Sequence, residues 1–162
     1  MLAFGAVRTH LEDPMAPPAI LEPGAADNYR RWWNNPWSVV ERGGQNRAGD
    51  WTSVGVERLR ALVDYAHLRG LWIRFYTLDG AASKELSCHG WFRNYNFGSP
   101  ASARLRWRAA HAAVVDYIAS DQYEQLATYL KENSAARVHV EEPSDARVLH
   151  DDVSPMGLPP YR

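Results

Sequence analysis

Trp72, Arg74 and Tyr76 are spaced two apart in the run Leu71-Trp72-Ile73-Arg74-Phe75-Tyr76-Thr77-Leu78-Asp79-Gly80. As a strand, this run puts those three side chains on one face and Leu71, Ile73 and Phe75 on the other. A cation on an aromatic, inward face is costly unless an anion meets it, and the planar fork of Arg74 suits phosphate or carboxylate oxygens. Glu41 closes a second strand candidate, Trp37-Ser38-Val39-Val40-Glu41, on the face shared by Trp37 and Val39. There it either orients a substrate hydroxyl or forms an ion pair with Arg74. Tyr76 either lies against a ligand or fills the top layer of a barrel. Asp79 lies one step into the following loop, where it contacts a ligand or caps the turn before Gly80.

Helices and turns must hold these groups in place. Asp50 or Thr52 can cap a helix whose apolar residues Val56, Leu59, Val63 and Ala66 recur at helical spacing, and Gly70 stops it before the strand. Ser99-Pro100 reads as an N-cap with proline at the first helical position, opening a helix through about His111. Leu2 to Val7 and Val114 to Ala119 read as further strands, and Asp121 as the cap of a last helix. Helix-facing burial is expected for Val115, Tyr117 and Ala119. Asp13 to Gly24 is rich in proline and reads as irregular. Strands alternating with helices specify an α/β protein with a parallel sheet, whose chemistry gathers at the carboxyl ends of the strands. Three or four βα units are about half of a closed (β/α)8 barrel. The expectation is therefore a partial TIM-type barrel over residues 1–133, followed by an extended or disordered tail over 134–162 where apolar periodicity fades. A small open three-layer sheet is the alternative.

Composition narrows the partners. A net charge of -1 gives no electrostatic case for nucleic acid. No apolar run reaches the roughly 20 residues of a membrane span, and no secretory leader is evident at the start. The single cysteine, Cys88, cannot form an internal disulfide, and its neighbour His89 makes neither a metal site nor a nucleophilic dyad with it on sequence grounds. Gly43-Gly44-Gln45 and Gly49 lack the spacing of a nucleotide-binding loop. Arg104, Arg106 and Arg108 spread around a helix and are expected in solvent, while His67 and His111 suit helix carboxyl ends. Trp32, Trp33 and Trp37 beside Asn34 and Asn35 either stack on sugar rings or pack a loop over a barrel mouth.

Three segments together carry a family resemblance. Tyr29-Arg30-Arg31-Trp32-Trp33-Asn34-Asn35-Pro36-Trp37, then residues 70 to 79, then Val115-Asp116-Tyr117-Ile118-Ala119-Ser120-Asp121 resemble the closing half of the phosphatidylinositol phospholipase C-like and glycerophosphodiester phosphodiesterase superfamily. Tyr76-Thr77-Leu78-Asp79 is similar to its penultimate strand end, and 115 to 121 to its last strand. The resemblance implies a phosphoric diester hydrolase barrel acting on a phosphodiester small molecule or lipid headgroup. It also implies a substrate-side wall of Glu41, Arg74, Tyr76 and Asp79. Full-length relatives take acid-base histidines and the carboxylates for calcium or magnesium from the first half of the barrel, and no counterpart of those motifs precedes Tyr29. Arg8-Thr9-His10 is a superficial echo that precedes a proline-rich loop, and no cofactor is identifiable in this chain.

Two rival readings remain. One is a carbohydrate-active barrel fragment using Glu41 and Asp79 as paired carboxylates. The other is a non-catalytic module completed by another chain or by self-association through its open barrel face. Because the acid-base and metal motifs are missing, the chain alone is expected to leave bis-p-nitrophenyl phosphate uncleaved with or without calcium or magnesium. Chelator-sensitive turnover in that assay would overturn the assignment of this chain to the binding side.

Overall fold

The computed structural model describes residues 6–8, 13–22, 24, 26–82 and 93–138. The chain forms β1 (Ala6–Arg8), a one-turn helix α1 (Pro18–Leu21), β2 (Trp32–Asn35), 3₁₀ turns at Trp37–Val39 and Gln45–Arg47, and α2 (Ser53–Leu68). Then come β3 (Trp72–Phe75), a 3₁₀ turn at Arg93–Tyr95, α3 (Pro100–Ala112), β4 (Tyr117–Ile118) and α4 (Tyr123–Val138). All strand pairs are parallel, and the strands lie in the order β1-β2-β3-β4. The fold is therefore mixed α/β with a small parallel sheet.

Local chemistry sets the long elements. Thr52 caps α2 by accepting from Gly55 N–H, and Ser99 caps α3 by accepting from Ser102 N–H, with Pro100 following. At the end of α2, Gly70 adopts φ +70°, Leu71 N–H returns to the Ala66 carbonyl and Gly70 N–H to that of His67. This paired closure requires a left-handed residue, which glycine supplies without strain. The chain then enters β3 directly.

Among the described residues, the helices cover the sheet on one side. Trp33, Ile73 and Phe75 are fully buried in a single core with Leu59, Leu62 and Val63 of α2, Trp107 of α3 and Leu126 of α4. In a parallel sheet of consecutive strand order, crossovers of the usual right hand place successive helices on the same face, which accounts for this one-sidedness. On the other face Trp72 is 47% and Tyr117 38% exposed. There the Trp32 ring stacks on Tyr117 at 4.8 Å, and Trp72 meets both edge-on at 6.5 and 6.2 Å. Parallel sheets ordinarily have both faces covered, so an aromatic face left partly exposed among the described residues is unusual for this architecture.

Several sequence expectations change. Trp37 to Glu41 is a 3₁₀ turn followed by a bend, and the strand lies earlier, at Trp32–Asn35. Trp33 and Trp37 belong to the core, whereas Trp32 faces out from the sheet. Tyr117 sits on the open face, because the register pairs it with Arg74. The proline-rich segment contains α1, held by Arg58 of α2, whose guanidinium donates to the Pro14, Ala16 and Val39 carbonyls. Helix α4 continues past Asn133 to Val138.

Val114 is not in a strand. It closes α3 in the conformation that Gly70 uses after α2, with φ +59°, its N–H bonded to the His111 carbonyl and Val115 N–H bonded to that of Ala110. A left-handed L-residue costs roughly 1–2 kcal/mol, and a β-branched one is a pronounced outlier. Since Val114 is 58% exposed, little packing is lost on truncation. Val114→Gly is expected to stabilise the fold by about 0.5–1 kcal/mol after the entropic cost of glycine is subtracted. Denaturant midpoints of the two proteins check this, and a destabilised variant would show that the valine side chain holds the turn by packing.

Candidate functional site

The carboxyl end of the sheet is built around a break in the β3–β4 ladder. Ala119 N–H donates to the Phe75 carbonyl, so a regular parallel ladder would return from Thr77 to Ala119. Leu78 makes that return bond instead. One extra residue is therefore inserted at Tyr76-Thr77, a bulge that redirects the strand end. Thr77 takes up the turn at φ +53°, a left-handed conformation that a β-branched residue adopts only when its surroundings impose it. The restraint comes from buried Gln45. Its Nε2 donates to the Thr77 carbonyl at 3.1 Å, to Thr77 Oγ1 at 3.1 Å and to the Tyr76 carbonyl at 3.3 Å. Gly43 and Gly44, with φ +88° and +73°, turn the chain immediately before Gln45.

Arg74 and Tyr76 are brought together beside this bulge. Arg74 Nη1 donates to Asn34 Oδ1 at 2.7 Å across the β2–β3 register. A neutral amide orients the guanidinium without cancelling its charge, and among the described residues no carboxylate pairs with Arg74. The Tyr76 backbone N–H still bonds the Asn35 carbonyl, and its ring meets Tyr95 edge-on at 6.4 Å. Burial pushes the Tyr76 phenol up, the neighbouring Tyr95 phenol adds to the shift, and Arg74 partly offsets it. The phenol thus stays protonated as a hydrogen-bond donor.

Glu41 is not part of this group. Its carboxylate accepts from Arg106 Nη2 at 2.7 Å and Nε at 2.9 Å, and from Trp37 Nε1 at 2.6 Å. The expected Glu41–Arg74 ion pair is therefore replaced by Glu41–Arg106. Arg106, expected in solvent, is 2% exposed and lies over the Phe97 and Trp51 rings at 5.1 and 5.5 Å. The helical face Ala103, Arg106, Trp107 and Ala110 is buried as a stripe.

Asp79 is also committed internally. It is 3% exposed, and its Oδ1 accepts from Ser120 Oγ at 2.6 Å and Asp121 N–H at 2.7 Å. Its role is to fasten the loop after β3 to the loop after β4, rather than to cap the turn at Gly80. Gly80 belongs to the same joint: a Cβ there would clash with the Ser99 carbonyl oxygen, so the close approach of α3 requires glycine. At the opposite end of the sheet, Asp116 Oδ2 accepts from Ile73 N–H at 2.8 Å and lies 2.9 Å from His67 Nε2. His67 thus has a side-chain partner in addition to its favourable place at a helix end.

Asn34, Gln45, Thr77 and Tyr95 join the site without having been singled out individually from the sequence. For Gln45 the available signal is the preceding glycine pair; for Asn34 it is the alternation that places it level with Arg74. His10, Cys88 and His89 lie outside the described residues. Among the described residues no group of three or more His, Cys, Asp and Glu side chains is gathered to hold a metal ion, and no helix is long and apolar enough to cross a membrane. No protein-family model, curated protein or solved structure matches the chain.

Burial raises the Asp79 carboxyl above its ordinary value of 3.8, outweighing the bonds from Ser120 and Asp121 that favour the anion. A raised native value means that the folded state holds the proton more tightly, so stability falls as pH rises from 3.8 through the raised value. Asp79→Asn keeps an Oδ1 acceptor for both bonds and removes the titration. Melting curves between about pH 4 and pH 7 are expected to show a fall in wild-type stability that the variant lacks; parallel curves would contradict the burial argument.

Proposed function

We propose that this chain is the closing portion of a (β/α)8-type barrel of the phospholipase C-like phosphodiesterase kind, forming the wall that binds a phosphodiester. The observation that carries this reading is Arg74: a cation on the open sheet face, held by a neutral amide and left with charge for an anion. Its remaining N–H groups grip non-bridging phosphate oxygens. Tyr76 donates its phenolic proton nearby, and Asn34 fixes the guanidinium plane. Gln45 and strained Thr77 set the direction of the strand end that carries Tyr76. The consecutive parallel order and the one-sided helical layer support the barrel reading, since the open aromatic face corresponds to a barrel interior. Acid-base groups, and any calcium or magnesium, belong to the opposite wall in this scheme. Glu41 and Asp79 support the wall from within, and their commitment to Arg106, Ser120 and Asp121 weighs against the paired-carboxylate glycosidase reading. The same open face is the surface through which the chain self-associates or meets a complementary chain.

An NMR titration with glycerophosphocholine and inorganic phosphate tests the proposal. Saturable shifts at Arg74 and Tyr76 are expected, weakened about tenfold or more in Arg74→Gln, the usual scale for a charged hydrogen bond. A neutral oligosaccharide that shifts Trp32 and Trp72 while phosphate has no effect would replace this reading with a carbohydrate-binding one.

A further inference from the structure

A second candidate site lies away from the sheet. An open cleft of about 280 Å³ runs between α2 and α3, lined chiefly by Trp51, Leu59, Leu105 and Ala112, with Arg60 on the α2 wall and Arg108 on the α3 wall. No strand residue lines it. Its lining on α3 and the residue that caps it extends from Leu105 to Ala113, about 12 Å at 1.5 Å per helical residue.

Two features define what would fit. A dry cavity of about 150 Å³ accommodates benzene, so on that scale this cleft takes an apolar body of roughly ten carbons and is too small for a peptide helix. Its length favours a linear chain over a fused ring. The charge is equally specific. No carboxylate lines the cleft, and neither arginine has an ion-pair partner among the described residues. Both guanidiniums are exposed at its margins, where they remain hydrated until an anion arrives. Small side chains such as Ala112 keep the space between the helices open.

From this combination we infer that the α2–α3 cleft binds a single-chain anionic amphiphile of the medium-chain fatty carboxylate class. The alkyl chain lies along Leu105 and Ala109 against Trp51, above the buried Leu59, and the carboxylate meets Arg60 and Arg108. The site is independent of the phosphate-binding wall, because it shares no residue with it.

Decanoate, octanoate and decyltrimethylammonium are the probes, read by the methyl signals of Leu59 and Leu105 and the indole signal of Trp51 in the full chain. Decanoate is expected to give saturable shifts at these three residues, with octanoate weaker by up to about fourfold per methylene removed. The cationic analogue is expected to leave them unchanged. Arg60→Glu/Arg108→Glu is expected to reverse the preference between the two head groups. Ala112→Leu, at an exposed position, is expected to block decanoate while the melting temperature stays unchanged, and it serves as the test should the double variant fail to fold. Equal shifts from both head groups, decanoate shifts confined to Trp72 and Tyr117 on the open sheet face, or unaltered binding to Ala112→Leu would each overturn the inference.

Discussion

A guanidinium that is 2% exposed needs an anion, and Arg106 finds one in Glu41 through two bonds of 2.7 and 2.9 Å. The same side chain donates to the Gly49 carbonyl and lies over Trp51 and Phe97, while Glu41 also accepts from Trp37. One ion pair therefore joins α3, the loop after β2 and the segment entering α3. Removing either partner leaves a buried charge, which typically costs 3–5 kcal/mol. The pair's net contribution relative to an apolar replacement is smaller, because both ions were desolvated to form it. Its main effect is positional: with Glu41 fixed, the chain through Gly43 and Gly44 delivers Gln45 beneath the bulge at Tyr76-Thr77.

From that point the order of cause runs outward. Gln45 offers one amide group to the Tyr76 and Thr77 carbonyls and the Thr77 hydroxyl, which compensates for a left-handed threonine costing roughly 1–3 kcal/mol. Asp79 and Gly80 then tie the strand exit to the next loop and to the start of α3. Strain at a strand's carboxyl end, held by buried polar bonds, is the pattern of a site whose geometry is set before a ligand arrives.

Signals contained within a few residues were legible in the sequence. Thr52, Ser99-Pro100 and Gly70 marked helix ends correctly, and alternation assigned Leu71, Ile73 and Phe75 to the core and Arg74 to the other face. What failed depended on distant partners. Val39 and Val40 favour a strand locally, but Trp37 and Glu41 are four apart, and a tight turn lets the buried indole reach the carboxylate. Arg106 was hidden because a charged residue masks the helical stripe Ala103, Arg106, Trp107 and Ala110, and its anion lies 65 residues away. Tyr117 was placed on the wrong face because a two-residue strand gives too short an alternation to read.

Arg106 and Arg74 present their guanidiniums in opposite settings. Arg106 is neutralised, stacked and enclosed, so an incoming phosphate would have to displace Glu41 and expose the cluster beneath it. Arg74 is aligned by Asn34 yet carries no carboxylate among the described residues, so an anion there would have no ion-pair partner of that set to displace. Coulomb attraction is stronger at a half-buried site than in bulk solvent, and Arg74 has that setting. The neighbouring aromatic surface of Trp32, Trp72 and Tyr117 lowers the local dielectric further when something covers it. On the proposed reading, covering the open face and holding an anion at Arg74 would reinforce each other, since each would remove water that weakens the other.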